Sequence, residues 1–168
     1  CSFTPPPYKP STTIGTLSIF LYGSTGNGKT SIAERLIRIF DDTVYMPYAI
    51  EVQGQIINLF DSVVHQPVEG EHEGDQRWVL CERPCIAVGG EMVQEMLELR
   101  FEETLGYYTS PLQMKANNGL FIIDDFGRQM INPRDLLNRW IVPLDRGIDF
   151  LSLRTGVKFP IPFETLVI

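Results

Sequence analysis

No run of apolar residues in this chain approaches the roughly 20 needed to cross a bilayer, and no secretory leader is visible. A membrane-embedded or secreted protein is therefore not expected, and a cytoplasmic setting is the default. Histidine and cysteine are scarce, with two and three residues in 168. Cys81 and Cys85 form a C-x₃-C pair with His72 nearby, but no second ligand pair follows, which argues against structural zinc. Positive charge is short as well: 14 Lys and Arg stand against 21 Asp and Glu, for a net charge of −7. That balance disfavours general electrostatic binding to nucleic acid or anionic lipid. Repeats and low-complexity tracts are missing too.

What remains is a globular composition with 43% apolar residues, enough for one core of ordinary size. Residues 1–13, rich in Pro, Ser and Thr, read as an extended lead-in, and residues 14–168 as one domain. The chain starts at Cys1 and stops at Leu166-Val-Ile168 inside what reads as a strand, so a fragment of a longer protein is expected.

The strongest signal is Gly23-Ser24-Thr25-Gly26-Asn27-Gly28-Lys29-Thr30, which fits G-x-x-x-x-G-K-[ST]. The apolar run Leu17–Tyr22 before it predicts a buried strand. Residues 31–40 after it place Ile32, Ala33, Leu36, Ile37 and Phe40 on one helical face. Strand, glycine-rich turn and helix are the context this motif requires. Glycines let backbone N–H groups curl around phosphates, and the helix from Ser31 onward aims its first donors and its dipole at the same anion. Lys29 can reach the β- and γ-phosphates, and the Thr30 hydroxyl can coordinate Mg²⁺.

A second run, Leu120-Phe-Ile-Ile-Asp124-Asp125, is apolar and ends in two acids, as in the Walker B strand of P-loop NTPases. There Asp124 would bind Mg²⁺ through water, and Asp125 would polarise the attacking water as general base. The bland alternative is a buried strand whose Asp-Asp-Phe-Gly tail is only a turn.

Elsewhere, Val44–Ile50 reads as a strand and Gln55–Val64 as a helix, with apolar residues at 56, 57, 59, 60, 63 and 64. Residues 65–77 read as a solvated acidic loop that leaves His65 and His72 exposed. A strand at 84–88 and a helix at 91–101 follow, with Cys85 as an ordinary buried thiol in the strand. Asn132-Pro133 opens a helix as N-cap and first residue, with Asp135 in its first turn. Leu136, Leu137, Trp140, Ile141 and Leu144 are its expected buried stripe, Pro143 should kink or shorten it, and Gly147 ends it. Residues 148–161 read as a hairpin turning at Thr155-Gly156, before a last strand at Leu166. Alternating strands and helices predict an α/β fold with a mostly parallel sheet covered by helices on both faces.

Together these motifs resemble the core of an AAA+ ATPase, with Gly23–Thr30 as Walker A and Asp124-Asp125 as Walker B. The run Ser110-Pro-Leu-Gln-Met-Lys-Ala-Asn-Asn-Gly119 is similar to the short helix and Ala-x-x-Gly that precede Walker B in that family. Asn132–Gly147 and residues 148–168 resemble the branch with a β-hairpin before the sensor 1 strand. MoxR-type ATPases, magnesium chelatases and enhancer-binding activators share that device, and the MoxR-like group is the nearest in pattern. The resemblance implies a P-loop three-layer sandwich, ATP hydrolysis with Mg²⁺, a homo-oligomeric ring (usually hexameric) and chaperone-like remodelling of a protein client. Residues 23–31 would bind nucleotide, Lys29 and Asp125 would be catalytic, and Thr30 and Asp124 would hold the metal. Family members normally carry Glu where Asp125 stands, one methylene longer. The sensor 1 polar residue, the arginine finger and the lid would fall after Ile168.

Two other functions fit the same motifs. A nucleotide-loaded switch or scaffold would hydrolyse little, as the shorter Asp125 suggests. A small-molecule P-loop kinase would also bind ATP, but rarely needs the capped helix and hairpin after Walker B. A GTPase would want an Asn-Lys-x-Asp segment, which the sequence does not contain.

Overall fold

The computed structural model of the protein describes residues 15–24, 28–40, 42–68 and 75–168. The lead-in 1–13, the loop residues Thr25, Gly26 and Asn27, and His72 lie outside them. In chain order the elements are β1 (Leu17–Ser18), α1 (Lys29–Leu36, running into a 3₁₀ turn at Ile37–Ile39), β2 (Thr43–Pro47), β3 (Ala49–Val52) and β4 (Gln55–Asn58). Next come β5 (Trp78–Glu82), β6 (Cys85–Val88), a 3₁₀ turn at Gln94–Leu97, β7 (Arg100–Glu102), β8 (Tyr107–Thr109) and α2 (Leu112–Lys115). The last elements are β9 (Leu120–Ile123), α3 (Pro133–Arg146), β10 (Ile148–Ser152), β11 (Lys158–Pro162) and β12 (Leu166–Val167).

A four-stranded sheet in the order β1-β12-β9-β6 carries the candidate site, and every pairing in it is parallel. Its central strand β9 is Leu-Phe-Ile-Ile, with Leu120, Phe121 and Ile122 buried, as an apolar run in a parallel sheet should be. Entry to β9 depends on a close approach. The Gly119 backbone lies so near Pro84 that a Cβ there would stand 2.0 Å from the Pro84 carbonyl oxygen. The Leu120 N–H donates to that same oxygen at 2.9 Å. The Ala-x-x-Gly pattern thus has a packing cause, since Ala116 is fully buried beside it.

Helix α3 covers part of this sheet. The Asn132 side chain accepts from the Arg134 N–H, Pro133 takes the first helical position, and Gly147 closes the helix at φ 66°. Trp140 meets Phe121 and Phe163 edge-on at 5.2 and 5.9 Å. The buried stripe is narrower than expected. Leu136 and Trp140 are buried, whereas Leu137 and Ile141 are 52% and 60% exposed, because they lie one position round the helix from the residues facing Phe121. The helix continues through Pro143 to Arg146.

The remaining strands are mostly antiparallel. β2 pairs β5, β10 pairs β11 in the expected hairpin, and a second four-stranded sheet runs β3-β4-β8-β7. The expected helix over 55–64 is instead β4 followed by a turn. Its cause is the Gln53-Gly54 turn, where φ is 49° and 76°, a pair that folds β3 and β4 into a tight hairpin. The expected helix at 91–101 is only the 3₁₀ turn and β7, and the expected strand 44–50 breaks at Tyr48 into β2 and β3. The result is a mixed α/β fold with a parallel core sheet, in which α1 and α3 are the only helices longer than one turn among the described residues.

The hairpin β10–β11 is bound down at base and tip. At the base, buried Asp149 accepts from Arg139 and from Gln113 of α2. At the tip, the Arg154 N–H donates to the Tyr108 hydroxyl at 3.1 Å, and the Arg154 guanidinium covers the Phe101 ring. Its inner residues Leu151 and Ile161 share a core cluster with Met46, Val79 and Cys81. Burial pushes the Cys81 thiol up to about 11, while Cys85 is only partly buried.

His65 is fully buried, contrary to the expected exposure. Its Nδ1 accepts from the Asp61 N–H at 2.9 Å, so Nε2 carries the proton and donates to the Lys115 carbonyl at 2.9 Å. The ring also stacks on Phe60. Two backbone partners offset the loss of water, which is why a polar ring can sit there.

Candidate functional site

Strands β1 and β9 run in the same direction with β12 between them, so both deliver their following loops to one edge of the sheet. In open α/β sheets that carboxyl edge is where ligands bind. The expected strand 17–22 is shorter than its apolar run. Only Leu17–Ser18 forms a strand, the Ile19 N–H adds one bond to the Val167 carbonyl, and Phe20 and Tyr22 are 74% and 88% exposed. β1 lies at the sheet edge, with β12 as its one partner among the described residues.

The chain then passes Gly23 and Ser24 and re-emerges at Gly28, whose φ of 71° suits glycine. The first helical bond of α1 runs from the Ile32 N–H to the Gly28 carbonyl. Lys29 curls back, and its ammonium donates to the carbonyls of Gly23 and Ser24 at 2.7 and 2.9 Å. Ser31 is exposed in the first turn of the helix.

The neighbouring wall comes from the end of β9. The Thr30 hydroxyl donates to Asp124 Oδ2 at 2.9 Å, and the other carboxylate oxygen of Asp124 accepts from the Asp125 N–H at 2.9 Å. Asp125 sits at φ 52°, in the left-handed region that Asp enters more readily than most residues. A cavity of about 390 Å³ is lined by Gly23, Lys29, Thr30, Asp124, Asp125 and Arg128, among others. The volume is of the size small-molecule sites have. Of the expected site residues, Thr25, Gly26 and Asn27 lie outside the described residues. Lys29, Thr30, Asp124 and Asp125 share the one cavity.

Sequence reasoning passed over two residues here: Arg128, which lines the cavity, and Gln129, which holds the turn behind its wall. Gln129 is 8% exposed, and its amide donates to the carbonyls of Asp124 and Asp125 at 2.8 and 3.1 Å while its oxygen accepts from the Gly127 N–H. It thereby fixes the turn that presents both acids. Arg128 Nη1 stands 3.3 Å from Asp125 Oδ2. Their signal was the pair of polar residues directly after Asp-Asp-Phe-Gly.

The far end of the site is also tied. Buried Arg83 forms a two-pronged pair with Asp42, just past α1, and donates to the Asn118 carbonyl before β9. The Arg83 hydrogen bond holds the Asp42 carboxyl below its usual value. Helix α1 is thus anchored to β9 through Thr30 at one end and to the approach to β9 through Arg83 at the other.

A nucleotide with Mg²⁺ fits the residues present. The Thr30 hydroxyl and Asp124 carboxylate are adjacent hard oxygen donors, the kind this ion takes. Among the described residues, the Lys29 ammonium is held by the Gly23 and Ser24 carbonyls of the loop, which an anion could replace.

Comparison with solved structures finds a similar fold in a chain of the complex between subunits BchI and BchD of magnesium chelatase, built on a single-particle cryo-EM reconstruction. The TM-score is 0.52 at 15% identity, over 93% of this chain and 46% of that one. This chain therefore spans less than half the length of its structural counterpart. No protein-family model and no curated protein matches the sequence. At this identity the likeness concerns the fold alone.

Proposed function

We propose that this protein is the core of an AAA+-type P-loop ATPase that binds ATP with Mg²⁺ and hydrolyses it. The observation that carries the reading is the Thr30–Asp124 contact, which gathers a motif threonine and a strand-end carboxylate in one cavity with Lys29 and Asp125. Lys29 leaves the Gly23 and Ser24 carbonyls and grips the phosphates, together with N–H groups of residues 23–31. Thr30 and Asp124 would hold a Mg²⁺ ion, Asp124 through water, and that ion would supply charge neutralisation for the phosphate oxygens. Asp125 orients the attacking water and accepts its proton, held in place by the Gln129 clamp.

The three-layer P-loop sandwich, the MoxR-like branch, an oligomeric ring and remodelling of a protein client belong to the same proposal. They draw on the sequence resemblance and on a fold counterpart found in a complex between two subunits. A second reading, a nucleotide-loaded switch with little hydrolysis, is favoured by one observation: the Asp125 carboxylate is short and engaged by Arg128.

Phosphate release from ATP in Mg²⁺ tests the proposal. The wild type should turn over ATP, and Lys29→Ala should lose both binding and turnover. Binding that depends on Lys29 without turnover would favour the switch. Turnover undiminished in Lys29→Ala would reject the site.

A further inference from the structure

Arg128 and Asp125 form an ion pair on the rim of the cavity, with side chains 73% and 57% exposed. A pair in such contact with water contributes little to stability, so it can exchange partners at small cost. The backbone beneath it is fixed. The Arg128 N–H donates to the Asp125 carbonyl at 3.0 Å, and buried Gln129 clamps the same carbonyl from the next position. A held backbone under a loosely held guanidinium suits a cation that moves between two anions. The planar fork of arginine matches phosphate oxygens better than a single carboxylate contact does.

Where the second anion would sit follows from the Thr30–Asp124 contact beside this pair. On the ATP-site reading above, which this inference rests on, Thr30 and Asp124 would hold the metal, and the terminal phosphates would lie beside that pair. Asp125, the next residue, then faces the terminal phosphate, and Arg128 already reaches the Asp125 carboxylate. We infer that Arg128 moves from Asp125 to the terminal phosphate of a bound nucleoside triphosphate, so that the site distinguishes ATP from ADP. The same move frees the Asp125 carboxylate to act on water. In the absence of a terminal phosphate, Arg128 keeps that carboxylate engaged.

Titration of wild type, Arg128→Ala and Arg128→Lys with a non-hydrolysable ATP analogue and with ADP, in Mg²⁺, tests this. Arg128→Ala should weaken the triphosphate by roughly tenfold to a hundredfold, as loss of a charged hydrogen bond does. ADP affinity should stay within about twofold, and Arg128→Lys should recover part of the loss. Equal weakening of both ligands, or unchanged triphosphate affinity, overturns the inference while leaving the ATP site standing. A wild type that binds neither ligand, or a Lys29→Ala control that binds both normally, overturns the site and the inference together.

Discussion

Thr30 and Asp124 are 94 residues apart in the chain, yet the hydroxyl of one donates to the carboxylate of the other at 2.9 Å. The strands that precede them, β1 and β9, are separated by β12, so about two strand spacings, roughly 9.5 Å, lie between the two. The first turn of α1 bridges that gap. Arg83, Asp42 and Asn118 tie the other end of the same helix, so the two walls of the cavity are held at both ends.

Asp125 combines a left-handed backbone with the proposed base role. Asp125→Asn keeps a side chain suited to that conformation, so it should fold and bind nucleotide like wild type while hydrolysis falls roughly 10² to 10⁴-fold. Asp125→Glu should cost about 1 kcal/mol in stability, since longer side chains enter this region less readily. Phosphate release and thermal unfolding measure the two effects. An Asn variant with wild-type turnover would remove Asp125 from the mechanism.

Gly119 tests the approach to β9 without touching the cavity. A methyl group there would stand 2.0 Å from a backbone oxygen that cannot swing aside. Gly119→Ala should destabilise by about 3 kcal/mol and lower Tm by roughly 6–12 °C. A variant melting within 2 °C of wild type, on the order of a neutral surface change, would contradict this packing.

Buried His65 predicts a pH dependence. Burial lowers its pKa below the usual 6.5, ahead of the opposing effects of the Lys115 carbonyl and the Asp61 carboxylate. The unfolded chain therefore takes up a proton at a pH where the folded one does not. This contribution to stability is complete above about pH 6.5 and is lost as pH falls, by at most about 1.4 kcal/mol per pH unit. Denaturant unfolding between pH 7.5 and 5 should show the slope in wild type and a flatter one in His65→Gln. Identical slopes would remove His65 as the cause.

The parts of the fold that were legible carry local chemistry. Asn132-Pro133 and Gly147 bound α3 through capping, and the turn at Thr155-Gly156 marks the hairpin. The run Leu120–Ile123 declares a central strand by its unbroken apolarity. Residues 55–64 were misleading because their apolar spacing matches a helix, while the deciding feature, Gln53-Gly54, lies just before them. Leu137 and Ile141 share the helical spacing of Leu136 and Trp140, and only the position of Phe121 separates the covered face from the open one. Burial of His65 depends on Lys115, 50 residues away. Arg128 and Gln129 act through contacts that a motif pattern does not contain.

A double-mutant cycle on Thr30→Val and Asp124→Asn, read as ATP affinity with and without Mg²⁺, addresses the central claim. If the two side chains serve one metal, each single change should weaken Mg²⁺-dependent binding about tenfold or more, and neither should alter metal-free binding. The double variant should then be no worse than the weaker single, a coupling of about 1 kcal/mol or more. Losses that simply add, or affinity indifferent to Mg²⁺ in the wild type, would contradict the account.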